Sequence, residues 1–171
     1  GVQDQPRQDS KTPTSQEQLD LLKSILIDHA GERGFCAGGD IRMIAESGAG
    51  DASEAKAFFL AEYRLNHLMF DYPKPITAIV DGIVMGGGLG LTMFGAARWT
   101  TERSQIAMPE TIIGFFPDVA ATYLLSRAPG EAGTHVALTG ATFGAGDAIA
   151  LGLADTLVES SALGGVLDGL A

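Results

Sequence analysis

Apolar and polar positions along this chain alternate between two periods. Residues 24–29 (Ser24-Ile25-Leu26-Ile27-Asp28-His29) and residues 75–80 (Pro75-Ile76-Thr77-Ala78-Ile79-Val80) are short apolar runs, and each predicts a strand. Residues 41–47 predict a helix with Asp40 as its N-cap. In residues 52–70, Phe58, Phe59, Leu65, Leu68 and Met69 recur at helical spacings. This predicts a long helix with those side chains in the core, while Glu62, Arg64 and His67 read as its solvated face. Pro73 and Pro75 stop that helix and open the next strand. Further on, the pattern predicts helices over residues 91–97, 119–126, 132–138 and 145–151, and short strands over 98–101, 105–107 and 155–159. Residues 109–114 read as a loop or helix start, Phe115-Phe116-Pro117-Asp118 opens the helix after it, Gly140 is a stop signal, and 160–171 is a helical tail. Residues 1–18 are rich in Gln, Asp, Ser, Thr and Pro and read as a flexible polar lead-in to a domain over 19–171. Strands alternating with helices predict an α/β fold with parallel pairing. No sequence repeat is apparent.

Composition narrows this picture. The chain of 171 residues suits one domain, and 46% hydrophobic residues suffice for a core. A net charge of −10 with no Lys/Arg cluster argues against nucleic acid as a partner, although Arg33, Arg42 or Arg64 remain able to meet a single phosphorylated ligand. Cys36 is the only cysteine, which excludes an internal disulfide and a cysteine metal cluster and reads best as a small apolar filler. His29, His67 and His135 have no metal-ligand spacing, so no metal is expected. No apolar run is long enough to span a bilayer, the first residues lack a secretory pattern, and a cytoplasmic location is the default expectation.

The candidate chemistry lies at two glycine turns. Met85-Gly86-Gly87-Gly88-Leu89-Gly90 connects a predicted strand to a predicted helix, leaving backbone N–H groups open to close approach at a helix N-terminus. Phe35-Cys36-Ala37-Gly38-Gly39-Asp40 does the same one unit earlier. Each alone reads as an ordinary tight connection. Together they can aim two main-chain donors at one oxygen that becomes anionic during a reaction. Glu110 and Asp118 each follow a proline near a helix start. That is common for purely structural carboxylates; the functional alternative is a pair that activates a nucleophile and places a proton. The dinucleotide fingerprint fails, because Leu91 and Met93 stand where it needs its last glycine or alanine, and neither a P-loop nor a Gly-x-Ser-x-Gly elbow is present.

Phe35-Cys36-Ala37-Gly38-Gly39-Asp40-Ile41-Arg42, then Lys74-Pro75 through Met85-Gly86-Gly87-Gly88, then Ala107-Met108-Pro109-Glu110, resemble the crotonase (enoyl-CoA hydratase/isomerase) superfamily, in one register over residues 25–159. The resemblance implies an α/β, ββα-superhelix fold with crossed sheets. It also implies an acyl-CoA thioester substrate whose carbonyl oxygen sits between the N–H groups of Gly39 and Gly87. Ala37, Gly38, Asp40 and Gly86 then belong to the substrate-binding loops, and Arg42 approaches the CoA phosphates. Coenzyme A is part of the substrate, so no separate cofactor is implied, nor a membrane or nucleic-acid partner. Hydratases of the superfamily carry a second glutamate where this chain has Gly90, which argues against hydration. Phe58-Phe59-Leu60-Ala61-Glu62-Tyr63, Glu110 and Phe116-Pro117-Asp118 are similar to the 3-hydroxyisobutyryl-CoA hydrolase family of valine catabolism. In that family the residues matching Glu62, Gly87, Glu110 and Asp118 contact substrate. An isomerase using Glu110 alone and a non-catalytic acyl-CoA-binding remnant are the alternatives. The family usually has an N-terminal strand pair and C-terminal helices outside the stretch matched here, so the fold is expected to be incomplete. Uncovered apolar surface is then expected at Phe58, Phe59, Leu124 and Leu125, with self-association into a homo-oligomer or marginal stability as its consequence.

Overall fold

The computed structural model describes residues 23–170, so the expected lead-in over residues 1–18 lies outside the described residues. In chain order the elements are strand β1 (Ile25–Ile27), helices α1 (Ile41–Ala49) and α2 (Ser53–Phe70), strands β2 (Ile76–Val80) and β3 (Ile83–Met85), and the four-residue helix α3 (Gly87–Gly90). Strands β4 (Ala97–Thr100) and β5 (Gln105–Ala107) follow, then a 3-10 turn (Glu110–Ile113) and helices α4 (Ala121–Leu125), α5 (Ala132–Thr139) and α6 (Ala145–Ala150). Strand β6 (Thr156–Leu157), a second 3-10 turn (Ser160–Ala162) and helix α7 (Leu163–Leu170) are the last of the described elements.

Four strands form one parallel sheet in the order β1-β2-β4-β6. β2 is central, and Ile76, Ala78, Ile79 and Val80 are all nearly inaccessible to solvent. A parallel strand covered on both faces needs a continuous apolar run, which is what made it readable. A second parallel sheet pairs β3 with β5, Met85 standing opposite Ala107. An isolated parallel bridge between Cys36 and Val84 extends it on the other side. The chain changes sheets at Asp81-Gly82 and again after Thr101. The first corner is pinned by the buried Asp81 carboxylate, which accepts a 2.5 Å hydrogen bond from the Thr101 hydroxyl and lies 3.4 Å from the Arg103 guanidinium.

Each passage through the second sheet runs directly into helix: β3 into α3, β5 into the 3-10 turn. A strand–strand–helix unit therefore repeats in space with no repeat in sequence. Its register positions the site. Cys36, Val84 and Ile106 lie abreast, because Cys36 pairs with Val84 and Val84 with Ile106. Counting forward along each parallel strand brings Gly39, Gly87 and Pro109 to the same end of the sheet, with Glu110 one residue beyond.

Several expectations are corrected. Leu65 and Leu68 are exposed, not core. The inward stripe of α2 is Ala55, Phe58, Phe59, Glu62, Asn66 and Met69, with Ala55, Asn66 and Met69 buried and the rest half-buried. The helix expected over residues 91–97 is instead α3, which begins inside the glycine run; residues 91–94 turn and Ala97 already belongs to β4. Strand β3 was not anticipated, because the neighbouring Gly82 and the glycine run hid three apolar residues between turn signals. The helix after Asp118 starts only at Ala121, since Val119 and Ala120 have φ of 43° and 62°. Of the four side chains expected to be uncovered, Leu125 is buried and Phe58, Phe59 and Leu124 are half-buried, whereas Ile41, Phe70, Ile112, Ile113, Phe116 and Leu138 are among the exposed apolar side chains.

Candidate active site

The expected site residues converge. Ala37, Gly38, Gly39, Asp40, Arg42, Glu62, Gly86, Gly87, Glu110 and Asp118 all line one cavity of about 1130 Å³. The two glycine turns touch: a Cβ built on Gly87 would lie 3.6 Å from both Gly39 N and Gly38 Cα. Among the described residues, neither the Gly39 nor the Gly87 N–H donates to a protein acceptor. Two unused donors thus stand side by side at the cavity wall. With only four residues, α3 adds little macrodipole, so the N–H groups themselves are the electrophilic element. That same Cβ would lie 2.5 Å from Glu62 Oε1, so only glycine lets the carboxylate of α2 come this close to the turn.

Asp40 and Arg42 divide differently from the expectation. Asp40 Oδ1 accepts from Arg42 N at 3.0 Å and Met43 N at 3.1 Å. Its side chain is therefore committed to capping α1, as the sequence predicts, and its place in the cavity wall is secondary. Arg42 projects exposed from the first turn of α1, without an ion-pair partner among the described residues.

Three acids from three elements surround the remaining space. Glu110 opens the 3-10 turn with its side chain buried, and its Oε2 has no hydrogen-bond partner among the described residues. Burial pushes the Glu110 carboxyl up to about 7; a bond from its own backbone opposes this, while the charges of Asp118 and Glu62 reinforce it. Glu62 is also raised, by burial and then by Asp118. Asp118 is oriented by Tyr63, whose hydroxyl donates to Asp118 Oδ2 at 2.7 Å. Burial and that bond together raise the phenol far above its ordinary value. Among the described residues, no group of three or more His, Cys, Asp or Glu side chains is placed to hold a metal ion. Nor is any helix among them long and apolar enough to cross a membrane.

Sequence reasoning missed Tyr63, Asn66 and Val119. Val119 is buried with φ of 43°, a rare conformation for a β-branched residue. It presses on α3: a Cβ on Gly90 would lie 2.8 Å from Val119 Cβ and 3.0 Å from Asn66 Nδ2, which donates to Gly90 O at 3.1 Å. Position 90 is glycine because Val119 and Asn66 occupy the space a side chain would need. The strained pair after Asp118 is thereby locked in place, and Asp118 with it. Gly90→Ala is accordingly expected to cost about 1–3 kcal/mol of stability by overpacking. A thermal melt checks this, and a variant as stable as the wild type would refute the close packing of Val119 and Asn66 on Gly90.

Comparison with known proteins accords with this geometry. The family described as Enoyl-CoA hydratase/isomerase matches residues 10–171. This chain belongs to the enoyl-CoA hydratase/isomerase, or crotonase, family. More particularly, it is 46% identical to the mitochondrial 3-hydroxyisobutyryl-CoA hydrolase of Danio rerio over 136 residues, covering 80% of this chain and 36% of that protein. It is 43% identical to the small ribosomal subunit protein mS47 of Neurospora crassa over 150 residues, covering 86% of this chain and 30% of that protein. Among solved structures, a carnitinyl-CoA dehydratase from Mycobacterium thermoresistibile superposes with a TM-score of 0.86 at 49% identity, covering 88% of this chain and 44% of that one. The protein has the crotonase fold in part, and the chain spans about a third of the length of the curated relatives it matches.

Proposed function

We propose that the protein hydrolyses a short 3-hydroxyacyl-CoA thioester of the 3-hydroxyisobutyryl-CoA kind, the reaction that the resemblance ties to valine catabolism. The observation that carries this reading is the buried Glu110 carboxyl, its Oε2 unpartnered among the described residues, in one cavity with the N–H groups of Gly39 and Gly87, which donate to no acceptor among the described residues. The thioester carbonyl oxygen accepts from both N–H groups, which hold the negative charge that develops as the carbonyl carbon becomes tetrahedral. Ionised Glu110 attacks that carbon or takes a proton from the attacking water; a carboxyl titrating near 7 is matched to such work. The carbon–sulfur bond then breaks and coenzyme A leaves as the thiol, its sulfur taking a proton that water gives up; where Glu110 itself has attacked, water cleaves the resulting anhydride, which frees the acid and restores the Glu110 carboxylate. Asp118, fixed by Tyr63, accepts a hydrogen bond from the 3-hydroxyl with its remaining oxygen. The packed space at Gly90 leaves no place for a second catalytic carboxylate there, which favours hydrolysis over hydration.

The test is release of free thiol from 3-hydroxyisobutyryl-CoA and isobutyryl-CoA. Preference for the hydroxylated ester supports the reading. Asp118→Asn is expected to lower kcat/KM by roughly tenfold or more on the hydroxylated ester and by less on the plain one. Equal losses would remove the hydroxyl-binding role. Arg42→Ala is expected to raise KM for CoA esters while leaving the corresponding pantetheine esters, which lack the nucleotide, unchanged. Equal effects on both would make Arg42 a packing residue. The likeness to mS47 favours a second reading, a non-catalytic binding subunit. Absence of thiol release from any acyl-CoA, with acyl-CoA binding retained, would select it.

A further inference from the structure

The acyl end of the cavity has an electrostatic character that a hydroxyl-bearing substrate does not exhaust. Glu62, Glu110 and Asp118 reach it from α2, the 3-10 turn and the following loop. Arg42 is the one cationic side chain among the residues lining this cavity, and it forms no ion pair with any of the three. Among the described residues, the only hydrogen-bond donor fixed on these carboxyls by another side chain is the Tyr63 hydroxyl, on Asp118 Oδ2. Glu110, 7% exposed, has an oxygen, Oε2, with no partner among the described residues. A cluster of acceptors this short of donors favours a ligand that brings several. The wall beside it is aromatic: Phe59 stacks on Phe115 with ring centroids 5.7 Å apart and meets Phe58 edge-on at 5.6 Å.

We propose that this acyl pocket accepts an ammonium group, so that 3-aminoacyl-CoA thioesters are bound and hydrolysed by the same machinery while carboxyacyl-CoA thioesters are rejected. The proposal rests on the thioesterase reading for turnover but not for binding. A 3-ammonium replaces the 3-hydroxyl almost without change of size. It offers three donors where the hydroxyl offers one, and its charge opposes the three acids. The bond changes are those of hydrolysis: water oxygen joins the acyl carbon, the carbon–sulfur bond breaks, and the thiol carries away a proton. A carboxylate at the same position would face like charge.

The experiment compares propionyl-, 3-hydroxypropionyl-, 3-aminopropionyl- and malonyl-CoA, by titration calorimetry for binding and by thiol release for turnover. Binding of 3-aminopropionyl-CoA at least about tenfold tighter than propionyl-CoA, with malonyl-CoA weaker than both, is the expected order. Equal affinities, or the reverse order, overturn the proposal whatever the turnover. Glu62→Gln, and independently Asp118→Asn, should weaken the amino ester more than the hydroxy ester and relieve the penalty on malonyl-CoA. A uniform loss on all four ligands in both folded variants would instead mean damaged packing and would count against the charge argument. During turnover, the bound ammonium should move the acidic limb of the kcat–pH profile to lower pH than the hydroxy ester gives. Tight amino-ester binding without thiol release from any ester would leave charge selection standing and overturn the thioesterase reading.

Discussion

Glu110→Gln is expected to lower thioester hydrolysis by about a hundredfold to ten-thousandfold while leaving acyl-CoA affinity nearly unchanged. Glutamine fills the same volume and retains an acceptor but neither attacks carbon nor removes a proton. The pH dependence carries the sharper signature. The Glu110 carboxyl titrates near 7, so wild-type kcat should rise with pH through that value, and the residual rate of the variant should lack this limb. Stability moves the other way. The folded state raises this carboxyl from 4.5 to about 7, so it prefers the protonated form. The stabilisation from protonation is complete below about pH 4.5, shrinks as the pH rises, and is gone above about 7. Glu110→Gln removes that dependence, and its melting temperature relative to wild type should therefore increase between pH 5 and pH 8. Glu62, also raised, adds a term of the same sign that both proteins share. Unchanged turnover in a folded Glu110→Gln protein would exclude Glu110 from the chemistry. A loss of turnover with no change in the pH limb would assign that limb to another group.

The two glycine turns and the acids were readable in the sequence, and their meeting at one point was an expectation drawn from the paired turns and the family resemblance; the strand register that brings them together was not readable. Residue types announce that a backbone is bare or that a carboxylate is present. They do not announce that Cys36 pairs with Val84 and Met85 with Ala107, the pairings that align Gly39, Gly87 and Glu110. β3 is too short to show a period between two turn signals, yet it carries that alignment. In α2 the apolar residues misled: Leu65 and Leu68 keep helical spacing but face outward. The stripe that faces the site includes the polar residues Glu62 and Asn66, one beside Gly87 and the other beside Gly90. A stripe counted from Ala55 to Met69 through those two polar positions would have exposed them, because a polar residue on an inward face needs a partner or a ligand. The strained Val119 had no sequence signal, since valine gives no indication of positive φ.

Gly87→Pro is expected to reduce kcat by about a hundredfold or more, because it deletes a donor aimed at the developing oxyanion. The local backbone is suited to the change. Gly87 is the first residue of α3, where proline is tolerated, and its N–H supports no hydrogen bond among the described residues. Gly86, with φ of 51° and ψ of −120°, is outside the helical region that proline disfavours in its predecessor. A second effect must be separated from the first. Any side chain at position 87 places Cβ 2.5 Å from Glu62 Oε1 and pushes that carboxylate aside. Gly87→Ala supplies this control: it introduces the same Cβ and keeps the N–H. If the donor is what matters, alanine should shift KM and acyl preference through Glu62 while retaining most of kcat, and proline should lose kcat in addition. Matching losses of kcat in the two folded variants would place the effect on Glu62 displacement and leave Gly39 as the sole main-chain donor. The alanine variant also probes charge selection, because a displaced Glu62 should narrow the difference between amino and carboxy esters even where the hydroxy ester still turns over.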